Sequence, residues 1–161
     1  MKKCIAISAC LMGEAVRYDG QCKKNHHIDV LSDIFLLRPF CPEVGVGMGV
    51  PRKPVQLVET KTGVRVLGVD EPAKDVTDLL TCYAENYNMD SVSGVIFKAR
   101  SPSCGLGSTP VYDINNKYLR NGNGLFASRL KLHWPDIPMI EESDLEDKEK
   151  LKYFLQRVDE L

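Results

Sequence analysis

The stretch "VSGVIFKARSPSCG", residues 92–105, joins an apolar run to a turn rich in proline, serine and glycine that carries one cysteine. An apolar run of this length, bounded by turn signals, reads as a buried strand. A strand of that kind asks for neighbouring strands and for covering helices, so the rest of the chain should alternate between the two.

It does. Residues Lys2–Ala9 form a second apolar run of strand length, and "LLRPF" (Leu36–Phe40) a third, ending at Cys41. Ile28–Phe35 suits a short helix between them. "VQLVETKTGVRVLG" alternates apolar and polar residues on both sides of Gly63, which predicts a hairpin. A helix follows, with Asp70 as its expected N-cap, Pro72 in its first turn, and Val76, Leu79, Leu80, Tyr83 and Tyr87 at helical spacing. "VYDINNKYL" predicts a second hairpin turning at Asn115–Asn116. Leu125–Trp134 reads as a helix stopped by Pro135, and "IPMI" as a short strand. Ser143 and Glu146 resemble a capping box, ahead of a last helix striped by Leu151, Phe154, Leu155 and Val158. The pattern predicts one α/β domain over residues 1–161. It should be a Rossmann-like three-layer fold with a mainly parallel sheet of about four strands plus small β-hairpins.

With 161 residues, 43% of them hydrophobic, the chain can bury a core without disulfide staples. A formal net charge of −1 argues against a nucleic-acid polymer as the main partner. The apolar run near the start is broken by Gly13 and Glu14, and no later stretch is long enough to span a bilayer, so a cytoplasmic protein without a membrane role is expected. Six cysteines in such a compartment are thiols or metal ligands rather than disulfides.

In parallel α/β sheets, ligands bind beyond the carboxyl ends of the strands. Cys10, Cys41 and Cys104 each follow a predicted strand, beside glycine or proline, so their thiols should converge on one rim. No CxxC pair is present, which excludes the ordinary zinc-ribbon and ferredoxin signatures. A set of three thiolates is one short of closing a tetrahedral zinc site or a cubic iron–sulfur cluster, and leaves an open position for chemistry. Soft metal centres of this kind favour sulfur ligands.

"SACLMG…RYDG", "CPEVGVGMGVPR" and "SPSCG" resemble, in order, the motifs of a bacterial family long filed as a domain of unknown function and associated with thiouracil desulfidase activity. The resemblance runs from Cys4 to about Met139. It implies a 4Fe–4S cluster bound by Cys10, Cys41 and Cys104, with the fourth iron open to sulfur from a thiolated heterocycle such as 2-thiouracil. The products implied are the carbonyl compound and sulfide, with no reductant consumed. A cluster with an exposed iron is lost in air, so aerobically prepared protein can lack it.

Glu43, in "CPE", is the candidate general base and acid, a role the resemblance also suggests; its alternative is an ion pair with Arg52. Ser101 is a candidate to bond the substrate or the attacking water, or else to shape the turn before Pro102. Ser103 has the weaker functional claim. Asp19, in "RYDG", is the candidate for the N–H edge of the heterocycle, although Asp–Gly is also a common turn pair. Arg17, Arg52 and Arg100 lie near the motifs and could offset the negative charge of a thiolate-bound cluster. Cys4 and Cys82 read as small buried hydrophobes, and Cys22 as a loop residue near His26 and His27. Other functions remain open on these residues. One is a non-catalytic zinc or iron–sulfur module closed by His26; another is a cysteine-nucleophile hydrolase using His26, His27 or His133.

Overall fold

A computed structural model of the chain describes residues 1–21 and 25–161. Its strands are β1 (Cys4–Ser8), β2 (Leu36–Phe40), β3 (Val55–Thr60), β4 (Gly63–Gly68), β5 (Val92–Phe97), β6 (Thr109–Tyr112), β7 (Tyr118–Gly122) and β8 (Met139–Glu141). Its helices are α1 (His26–Ile34), α2 (Pro42–Gly45, a single turn), α3 (Thr77–Asn86), α4 (Leu125–His133) and α5 (Lys148–Glu160).

The strand in the opening stretch is β5, and it is central. The first sheet has the order β2-β1-β5-β8, with every pairing parallel. Side chains alternate across it, as the pleat requires. Ala6, Val95 and Phe97 pack with Ala84 of α3 and Phe126, Ala127 and Leu130 of α4. Ile5, Ile7 and Ile96 face the other way, onto Ile28 and Leu31 of α1 and Phe154 and Val158 of α5. The expected three layers are therefore present. Gly94 interrupts the β5 run because α5 lies directly on it: a Cβ there would sit 2.9 Å from Val158 Cγ2.

The two expected hairpins do more than decorate this sheet. β3 pairs with β6 in parallel, so the hairpins join as a second four-stranded sheet of order β4-β3-β6-β7. Its apolar face, from Val55, Leu57, Val66 and Val111, packs on Leu80 of α3 and Leu125 of α4. These helices are held between two sheets, which is why α4 buries Leu125, Phe126, Ala127 and Leu130 rather than one narrow stripe.

Two helix starts differ from expectation. α3 begins at Thr77, not after Asp70, because the preceding residues bind back to β4: Gly68 N donates to Lys74 O, and Leu67 bridges Asp75. Asp75, one residue before the N-cap Val76, accepts from Thr77 N at 2.9 Å and so steadies the start of the helix. The start of α5 is capped by Asp147, which accepts from Glu149 N and Lys150 N, rather than by a Ser143–Glu146 box. Residues Glu142–Asp144 instead form a single 3-10 turn, with the Glu142 carboxylate bound to the β5 end. Cys82 is also corrected: it is exposed on α3, with Asn86 Nδ2 3.4 Å from its sulfur. Cys4 is buried in the core as expected.

The "SPSCG" turn is seated on the amino end of α4. Gly124 N donates to Gly105 O, Leu125 N to Pro102 O and Ala127 N to Ser103 O, satisfying first-turn donors that no side chain caps. The contact is so close that a Cβ on Gly124 would meet the backbone of Ser103 and Cys104 at under 3.0 Å. Gly124→Ala should therefore cost about 1–3 kcal/mol. A lowered thermal unfolding midpoint is expected; an unchanged one would mean that the turn is not seated as described.

Candidate active site at the strand ends

The parallel sheet delivers all three candidate thiols to one place. Cys10 lies in the 3-10 turn Ala9–Met12 after β1, closed by Gly13 in the left-handed conformation at φ 87°. Cys41 is the residue before α2, with Pro42 fixing the first helical position. Cys104 follows β5 on the seated turn. The order β2-β1-β5-β8 reverses direction beside β1, and the crevice at such a reversal is where open α/β sheets bind ligands. A cavity of about 410 Å³ opens there, lined by Cys10, Cys41 and Cys104 together with Glu43 and Ser101. All three thiols are free. Among the described residues, no group of three or more His, Cys, Asp or Glu side chains is gathered so as to hold a single metal ion. The thiols thus surround a cavity instead of meeting at a point.

Burial dominates the chemistry of these thiols. It pushes the Cys10 thiol up to about 11, against the opposing charges of Arg17 and Lys98. Cys104 is raised further by complete burial, with a hydrogen bond from Ser8 acting the other way. Cys41 is raised too, against the Val44 backbone N–H and Arg52. Cys10 and Cys104 each feel the charge of Cys41, and Cys104 also that of Cys10.

Glu43 enters the cavity from α2 and is 9% exposed. Its Oε1 accepts from Arg52 Nε at 3.0 Å, and its Oε2 from Ser103 Oγ at 3.0 Å. The ion pair with Arg52 considered from the sequence is therefore real, yet Glu43 still faces the thiols. Ser101 lines the cavity while its Oγ accepts from Ser103 N and Cys104 N, so it shapes the turn that holds Cys104. Asp19 is not brought into the cavity; its carboxylate accepts from Gln21 N in a local turn. His26, His27 and His133 do not line it either, and Cys22 lies outside the described residues.

Residues 5–142 match the model of the 2-thiouracil desulfurase family. The chain belongs to that family. It is similar to the uncharacterized protein YbbK of Bacillus subtilis (strain 168), with 32% identity over 155 residues, 89% of this chain and 98% of the relative. It is also similar to the solved structure of the [4Fe-4S]-dependent thiouracil desulfidase TudS, with a TM-score of 0.72 and 29% identity, covering 96% of this chain and 99% of that one.

In this member of the desulfurase family, the supporting residues are those that sequence reasoning missed. Glu142 receives Lys98 Nζ at 2.8 Å and Ala99 N at 2.6 Å, while Glu141 accepts from Leu106 N at 2.8 Å and from Ser108 Oγ. Both carboxylates hold the loop that carries Ser101 and Cys104. Nothing local in "IEESD" signals this, because the partners lie 33 to 44 residues earlier. Gly45 and Gly47 give their N–H groups to Cys41 O and Val44 O, so neither is left to donate to a ligand.

The buried thiols also set a pH dependence. A folded-state pKa raised from 9.0 to about 11 means that the folded chain keeps a proton at Cys10 that the unfolded chain releases. That contribution is fully present below about pH 9 and is lost as the pH rises towards 11. Denaturant midpoints of metal-free protein should fall across this window, and fall less steeply for Cys10→Ala. Equal slopes for the two proteins would contradict the burial argument.

Proposed function

We propose that this chain is a desulfidase that removes sulfur from a thiolated pyrimidine such as 2-thiouracil, using a 4Fe–4S cluster held by Cys10, Cys41 and Cys104. The observation that carries the reading is the meeting of three free thiols and one clamped carboxylate around a single cavity. The donor set fits the group by its chemistry: three soft sulfurs line one cavity of about 410 Å³. The named activity of the TudS neighbour supports the same choice. No histidine among the described residues lines the cavity, so neither a zinc site closed by His26 nor a Cys–His nucleophile pair is favoured. No described helix is long and apolar enough to cross a membrane, and free thiols suit a cytoplasmic setting.

When bound, such a cluster supplies a thiophilic Lewis acid at the iron that has no protein ligand. The rest of the work falls to the chain. The substrate's C=S carbon takes the oxygen of water, and its sulfur leaves as sulfide; the oxidation level is unchanged, so no reductant is needed. Glu43 removes the proton from the attacking water and returns one to the departing group. Arg52 and Ser103 fix both of its oxygens, so the base is aimed before the substrate arrives. Ser101 accepts two backbone donors, and its own O–H remains for the heterocycle. Tyr18, Pro54 and Val55 line the cavity from the β1–α1 loop and the start of β3, where they would flank the ring.

Anaerobically reconstituted protein should release sulfide from 2-thiouracil, matched by the carbonyl product. Glu43→Gln should keep the cluster's visible absorption and lose about 10²–10⁴-fold in turnover. Full turnover in Glu43→Gln would remove Glu43 from the mechanism. Loaded protein that frees no sulfide from any of a panel of thio-heterocycles would remove the substrate assignment.

A further inference from the structure

Cationic side chains around the cavity are not equivalent. Arg52 is paired with Glu43, and Lys98 with Glu142. Arg100 is exposed, in the left-handed conformation at φ 65°. Arg17 differs from all of these. It lines the cavity, and its Nε is a buried side-chain nitrogen that finds no hydrogen-bond partner among the described residues. Its backbone is well tied, with the N–H donating to Gln21 O and the carbonyl accepting from Gly20 N, so the side chain is held at the site by a defined turn.

A buried donor without an acceptor costs about 1–3 kcal/mol, and more when it is charged. The protein therefore carries one unmet, buried N–H of a charged side chain in the cavity that its thiols line. Arg17 shares one cavity with Cys10 and Cys41, and the carbonyl of its neighbour Val16 lies 3.9 Å from Cys41 Sγ. Three thiolates around a 4Fe–4S core make a net anion, and hydrogen bonds to its sulfurs tune both affinity and potential.

We propose that Arg17 is a positioning residue for the cluster, its buried Nε–H donating to a sulfur of the assembly in this cavity and its charge balancing the anion. The inference rests on the cluster reading above and assigns to Arg17 what Arg52, Lys98 and Arg100 do not do. It has a consequence that a merely structural arginine would not show. Removing Arg17 should help the metal-free fold or leave it unchanged, since its buried Nε–H makes no bond among the described residues that would be lost. The same change should harm the loaded protein.

The test compares wild type, Arg17→Gln and Arg17→Lys after anaerobic reconstitution. Thermal unfolding is followed without metal, cluster bleaching by an iron chelator is timed, and the reduction potential is taken by spectroelectrochemistry. In Arg17→Gln the metal-free midpoint should be equal or higher, bleaching about tenfold faster, and the potential more negative. Arg17→Lys, which keeps the charge without the Nε donor, should fall between. Bleaching and potential unchanged in Arg17→Gln would overturn the proposal while leaving the cluster in place. A metal-free midpoint that drops would also overturn it, by marking Arg17 as structural. Wild type that takes up no cluster would overturn the proposal together with the reading on which it stands.

Discussion

β2, β1 and β5 lie side by side and point the same way, so they end on one edge of one sheet. Adjacent strands are about 4.8 Å apart, and whatever follows three neighbouring strands is confined to a region about 10 Å across. Cys41 comes directly after β2, Cys10 lies in the turn after β1, and Cys104 lies on the folded loop after β5; all three line one cavity. They are 31 and 63 positions apart in the chain, yet parallel pairing makes them neighbours. Every functional statement about this protein depends on that shared edge. A slip in the pairing of β5 against β1 would carry Cys104 away from the other two.

Buried carboxylates then fix what the sheet brings together. Glu43 ties α2 to Arg52 and to the turn through Ser103. Glu141 and Glu142, at the end of β8 and just beyond, bind the 98–108 loop from the opposite side. Buried ion pairs of this sort add little net stability, because desolvation offsets attraction, but removing one partner is costly. Their value here is geometric. They hold an irregular loop still, so that the Ser101 and Cys104 side chains keep one arrangement. Arg17 is the exception that proves informative, since its buried Nε has no such partner among the described residues.

Much of this was legible in the sequence. The short apolar runs became β1, β2 and β5, and their following cysteines line one cavity, because strand length and turn chemistry are local signals. Local signals also misled. Asp70–Pro72 and Ser143–Glu146 look like helix starts, but Lys74 and Asp75 bind back to β4 and Glu142 binds Lys98, so α3 and α5 begin further along. Cys82 sits near the α3 stripe in sequence and is nevertheless exposed. The parallel β3–β6 pairing that joins two hairpins has no local signature, for it links residues 54 apart. From sequence Ser103 has a weaker claim than Ser101, and only the fold reveals that its hydroxyl reaches Glu43.

The most direct measurement is iron and acid-labile sulfide per chain after anaerobic reconstitution, for single alanine variants of each cysteine at positions 4, 10, 41, 82 and 104. The account predicts that Cys4→Ala and Cys82→Ala load as wild type does, while Cys10→Ala, Cys41→Ala and Cys104→Ala each lose most of their iron and sulfide. Full loading in any one of the latter three, or an equal loss across all five, would contradict it.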